Sequence, residues 1–254
     1  MKSVKELRRR NKKRKLYKRM ILLITTLLLI IISNKLINNY LNVSLTSNTA
    51  VAMSYEEESV DSGKIKVILD PGHGGHDDGA SFGDIYEKDI VLNISNKVGK
   101  ILEKNDIEVI YTRTDDSALG DDEKEDLRNR VSISNSTNAE YFVSFHINDY
   151  DEDTYGYEEV YGFEVWTNYN DDKSLNLGEA IEENLEALDY TECRPMLDGS
   201  EALYIIRENE NPSVLIEFGF MNNYNDRIYL SDEANQELLA KAVATSIIES
   251  INLN

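Results

Sequence analysis

From Lys64 onward the chain alternates short β-branched runs with stretches of helical periodicity, and that alternation leaves few folds open. Residues 64–70 (KIKVILD), 108–113 (EVIYTR), 141–147 (YFVSFHI), 162–166 (GFEVW) and 213–220 (SVLIEFGF) read as strands. Between them, residues 87–104 set Ile90, Val91, Ile94, Val98, Ile101 and Leu102 on one helical face. Residues 122–136 turn Leu127, Val131 and Ser134 inward, and residues 175–188 and 233–251 are further helices. Strands parted by helices at this spacing predict an α/β fold. The expectation is a single domain with a twisted, mostly parallel sheet and helices on both faces.

Charge divides the 254 residues unevenly around a net of −20. Residues 1–19 hold eleven Lys/Arg and one Glu; the rest holds sixteen basic groups against forty-six acidic ones. So acidic a body excludes nucleic acid as a partner, because phosphate contacts need clustered Lys and Arg. The single cysteine, Cys193, excludes a disulfide framework and a Cys-rich zinc site. Residues 1–19 read as a basic cytoplasmic n-region, 20–37 as a signal-anchor or signal-peptide h-region, and 38–63 as a linker. The nearest A-x-A pattern, Ala50-Val51-Ala52, lies about twenty residues past the apolar run, too far for ordinary cleavage. An uncleaved membrane anchor is therefore expected, with the following domain outside the cytoplasm at the cell wall.

The chain has three histidines, His73, His76 and His146. The first two stand in DPGHGGHDDGA directly after a strand, and His146 ends another in SFHIND. In open α/β sheets the carboxyl ends of strands face the crevice where ligands bind. Glu87 opens a helix, and Glu217 interrupts the apolar run VLIEFGF. An ionised carboxylate there is costly unless it is paired or binds a metal. Two imidazoles and one carboxylate form a catalytic zinc set with a fourth position left for water. A second carboxylate beside that water can act as its base.

DPGHGGHDDGA, Glu87-Lys88, SFHIN and IEFGFMNN, in this order and spacing, resemble the motifs of the zinc-dependent N-acetylmuramoyl-L-alanine amidases that cleave bacterial peptidoglycan. YTRTDD (residues 111–116), the segment 127–130 and LYIIRENENPSVLIE (residues 203–217) fit the same pattern, so the likeness spans residues 64–254. It implies a catalytic domain over that range with one Zn2+ per chain. His73, Glu87 and His146 would be the metal ligands, Glu217 the catalytic glutamate and Asn148 a substrate contact, with no ligand role for His76. Asp149 and Phe218 depart from the pattern at positions where small residues, and Thr or Val, are commoner; both would reshape the groove. The interval 149–161 is too short for the autoinhibitory helix of some divisional members. The implied reaction is hydrolysis of the amide joining N-acetylmuramic acid to L-alanine of the stem peptide by zinc-activated water. Two other readings stay open: a metal-retaining muropeptide-binding module without turnover, and an amidase inactive until a protein partner stabilises its zinc site. An anchored member without wall-binding repeats is also similar to the spore-cortex amidases.

Overall fold

Strand β1 (Lys66–Pro71) is buried along nearly its whole length, because it lies inside a sheet covered on both faces. The computed structural model describes residues 63–150 and 160–253. The predicted n-region, h-region and linker, and most of the acidic run after Asp149, fall outside the described residues. Among the described residues no helix is long and apolar enough to cross a membrane.

After β1 come a small hairpin, β2 (Ser81–Phe82) and β3 (Ile85–Tyr86), then α1 (Glu87–Lys104), β4 (Glu108–Tyr111), α2 (Glu123–Asn135) and β5 (Tyr141–Asn148). Then follow β6 (Glu164–Thr167), α3 (Asp172–Glu186), β7 (Leu197–Asp198) and α4 (Tyr204–Arg207). The chain closes with β8 (Ser213–Phe220), α5 (Tyr224–Ser231) and α6 (Glu233–Leu253). Six strands form one sheet in the order β4-β1-β5-β8-β6-β7. All its neighbours are parallel except β6 against β8. The α/β expectation is met, with one antiparallel join that the hydropathy pattern does not disclose.

Side chains alternate across the sheet, so neighbouring residues serve different cores. Val67 and Leu69, Tyr141, Val143 and Phe145, and Val214, Ile216 and Phe218 enter the larger core under α1, α3 and α6. Ile68, Phe142 and Leu215 enter a smaller one with Val131 of α2 and Ile205 and Ile206 of α4. Among the described residues the cover on that second face comes from α2 and the four-residue α4, fewer helices than on the first. His146 and Glu217 fall in the same alternation as Phe142 and Leu215, and they are partners in the β5–β8 register. The thin side of the sheet thus receives the polar residues.

The helices start where local chemistry dictates. Asp122 caps α2 by accepting from Glu125 N at 2.9 Å, and Asp171 caps α3 by accepting from Ser174 N at 2.9 Å. Helix α1 has no side-chain cap, but Glu87 and Asp89 in its first turn and Lys104 in its last match the helix dipole. Its inward face is as predicted, with Ile90, Val91, Ile94, Val98 and Leu102 buried and Ile101 partly so.

Candidate metal centre

His73, Glu87 and His146 come from three separate elements and meet at the carboxyl end of the sheet. His73 follows β1, Glu87 is the first residue of α1, and His146 lies near the end of β5. Glu87 Oε1 is 3.1 Å from His73 Nε2 and 3.0 Å from His146 Nδ1. One donor atom from each residue lies within 4.8 Å of the others. The two rings meet edge to face, their centroids 5.0 Å apart.

Each member is held from behind. His73 Nδ1 meets Asp77 Oδ2 at 2.7 Å, which leaves Nε2 as the nitrogen turned to the centre. Glu87 is almost wholly buried; Oε1 accepts from Ile147 N at 2.9 Å and Oε2 from Ala80 N at 2.7 Å. A Cβ on Gly72 would run into the His146 ring, so only glycine fits beside that imidazole. A Cβ on Gly79, at φ +66°, would meet Glu87 Oε2 and His73 Cδ2.

The electrostatics are those of a preassembled cation site. Burial would raise the Glu87 pKa, but the His146 and His73 rings outweigh it and bring the carboxyl down to about 2. Burial would lower the His73 pKa, yet Glu87 and then Asp77 push it up to about 9. Without a metal, the site therefore draws protons to where a cation would sit.

Donor types and spacing fit zinc. On a tetrahedral zinc with bonds of about 2.0–2.1 Å, donor atoms lie about 3.3 Å apart, close to the two distances from Glu87 Oε1. A carboxylate behind a ligating imidazole is the usual support for such a ring.

Glu217 stands beside His146 and faces the same cleft of about 710 Å³, whose lining also includes His73, His76 and Asp77. Its Oε2 is shut off from solvent without a hydrogen-bond partner among the described residues. Burial first, then the charges of Glu87 and Glu164, hold its carboxyl well above the usual range. The cleft lining also includes the apolar Leu127, Leu203, Ile205 and Leu215 and the acidic Asp122, Glu123 and Asp126.

His76 lines this cleft but lies outside the cluster of donors. Asn148 is absent from the lining: its Nδ2 donates to Glu164 Oε2 at 3.1 Å, and its Oδ1 accepts from Asp149 N at 2.9 Å. Glu164 in turn accepts from Arg194 Nε at 2.6 Å and pairs with Glu217 across β6 and β8. Sequence reasoning missed both Asp77 and Glu164. Glu164 carries the signal that exposed Glu217, an acid inside an apolar strand; Asp77 is hidden in a glycine-rich turn.

Residues 67–249 match the family profile described as N-acetylmuramoyl-L-alanine amidase. The chain is 29% identical over 195 residues to the germination-specific N-acetylmuramoyl-L-alanine amidase of Bacillus subtilis, covering 74% of this chain and 79% of that one. Among solved structures it resembles the CwlD amidase of Clostridioides difficile, determined in complex with the GerS lipoprotein. That match has a TM-score of 0.68 and 33% identity, over 75% of this chain and 100% of that one. The amidase AmiC2 of Nostoc punctiforme matches with a TM-score of 0.66 and 32% identity, over 75% of this chain and 99% of that one.

Proposed function

The chain belongs to the N-acetylmuramoyl-L-alanine amidase family, and on that premise we propose how its own residues carry out the family reaction. It is a peptidoglycan amidase, cleaving between N-acetylmuramic acid and the L-alanine of the stem peptide. His73, Glu87 and His146 would hold one zinc ion, and Glu217 would be the general base. The observation that carries this reading is the convergence of three donor atoms beside a carboxylate whose buried Oε2 has no hydrogen-bond partner among the described residues.

When bound, zinc would supply Lewis acidity, lowering the pKa of water to about 7 and polarising an amide carbonyl. Glu217, raised in proton affinity by its burial, accepts a proton during attack and returns it to the leaving amine of L-alanine. Asp77 keeps His73 in one tautomer, so its Nε2 does not turn away. The cleft lies on the sheet face that carries α2 and α4 and offers both apolar and acidic side chains, which suits a peptide-bearing polymeric substrate. Asn148 would act by fixing Glu164 rather than by touching the substrate directly.

Residues 20–37 would anchor the protein in the membrane, with the catalytic domain outside at the cell wall. A protein partner that supports the metal site is also proposed, and a relative solved with a lipoprotein supports it. Mass spectrometry of purified peptidoglycan digested by the full chain tests the reaction. Stem peptides beginning at L-alanine, with intact glycan strands, are expected, lost with a chelator and restored with zinc. Reducing sugar ends without peptide release would overturn it.

A further inference from the structure

Two buried arginines in the family-like segments have no part in the chemistry above. Arg113 and Arg130 are 3% and 2% exposed. Together they grip three consecutive backbone carbonyls of the turn that carries His73. Arg113 donates to Pro71 O at 3.0 Å and Gly72 O at 2.7 Å, and Arg130 to Pro71 O at 2.8 Å and His73 O at 2.7 Å.

The same Arg113 Nη2 that reaches Gly72 O also donates to Lys88 O at 2.9 Å. One atom therefore ties the residue before His73 to the residue after Glu87. Every hydrogen bond described for Arg113 ends on a backbone carbonyl, the fourth being Asp115 O at 2.9 Å. Arg130 answers the buried Asp70 at 2.8 Å and also Asp126. Neutralising those acids would not require it to reach His73 O as well.

His73 has φ +57°, a conformation that side-chain-bearing residues avoid unless their surroundings impose it. Released from its carbonyl grip, the turn would relax and swing the ring away from Glu87.

We propose that Arg113 and Arg130 are positioning residues for the metal centre, locking the His73 turn and the start of α1 in the geometry that lets His73 and Glu87 share one cation. This rests on the zinc reading above.

The test compares full-length wild type with Arg113→Lys, Arg130→Lys and a remote core control, Ile181→Val. Zinc affinity is measured by competition with a chromogenic chelator, the metal-free unfolding midpoint by urea titration, and the visible spectrum after cobalt loading. Lysine keeps the charge, but its single Nζ replaces a fork that spans several carbonyls. Each arginine variant is expected to bind zinc about 10–100-fold more weakly and to show an altered cobalt spectrum. The control should retain wild-type affinity whatever its midpoint. Arginine variants with wild-type affinity and spectrum would overturn the positioning role alone; wild type that takes up no zinc would overturn the metal reading beneath it. Should neither lysine variant fold, Arg113→Gln replaces them, since every hydrogen bond described for Arg113 ends on a carbonyl and the amide keeps a donor there while losing the fork. An affinity loss of about 10-fold is then expected, and none would overturn the proposal.

Discussion

At the scale of single residues, Glu217 separates an enzyme from a binding module. Glu217→Gln keeps the volume and reach of the side chain but cannot accept a proton. Zinc content should stay at wild type while turnover falls by about 10²–10⁴, read by release of stem peptides; full activity would exclude the proposed base. The same substitution has a pH signature in the metal-free protein. Because the folded-state pKa of Glu217 is raised, its contribution to stability is whole below the ordinary value of about 4.5 and drains away as pH climbs toward the folded one. Urea midpoints of metal-stripped wild type should therefore fall more steeply above pH 4.5 than those of the variant, and parallel profiles would refute the burial argument. Substituting His73 or His146 with alanine should abolish stoichiometric zinc by elemental analysis, whereas His76→Ala should retain it. These residues were legible because each is a polar group where polarity needs a reason: a strand end, a helix start, an apolar run. Arg113 and Arg130 were not legible in role, since their partners Gly72 and Asp70 lie forty-one and sixty residues away in sequence, while Asp77, four residues from His73, is hidden in a glycine-rich turn.

At the scale of elements, α1 links the larger core to the metal centre. Its buried stripe rests on α6 and the sheet, while its first residue supplies a donor to the centre. Ile94, fully buried in that stripe, should cost about 2–5 kcal/mol when cut to alanine, measured by urea unfolding of the zinc-free chain. Glu87 has its own anchors in Ile147 N and Ala80 N, so the folded fraction of Ile94→Ala should still load zinc. Loss of zinc from folded variant would mean that the helix, rather than those two amides, aims the carboxylate. Long elements with strong periodicity were legible nearly to their ends: α1 spans the predicted residues 87–104 and β8 the predicted 213–220. Two-residue strands such as β2, β3 and β7 carry too few side chains to establish a period. Strand β6 was expected over 162–166 and runs Glu164–Thr167, because Gly162 at φ +112° breaks the extended run before it.

At the scale of the whole molecule, the charge asymmetry and the proposed anchor make one argument. Eleven basic residues precede the apolar segment, and the remainder carries forty-six acids against sixteen bases. A strongly negative domain gains nothing from long-range attraction to an anionic wall, so a membrane tether would do what charge cannot and keep the cleft near its substrate. Positive residues on the N-terminal side of an apolar segment stay in the cytoplasm, which under that proposal would put the catalytic domain outside. Protease added to intact protoplasts should therefore digest the domain after Lys64 and leave the basic segment protected, as read by antibodies to each end. Permeabilised cells should lose both. Full protection of the domain in intact protoplasts would refute the orientation. Recovery of a mature chain beginning at Met53 would show cleavage after Ala52 and refute the anchor while leaving the orientation standing.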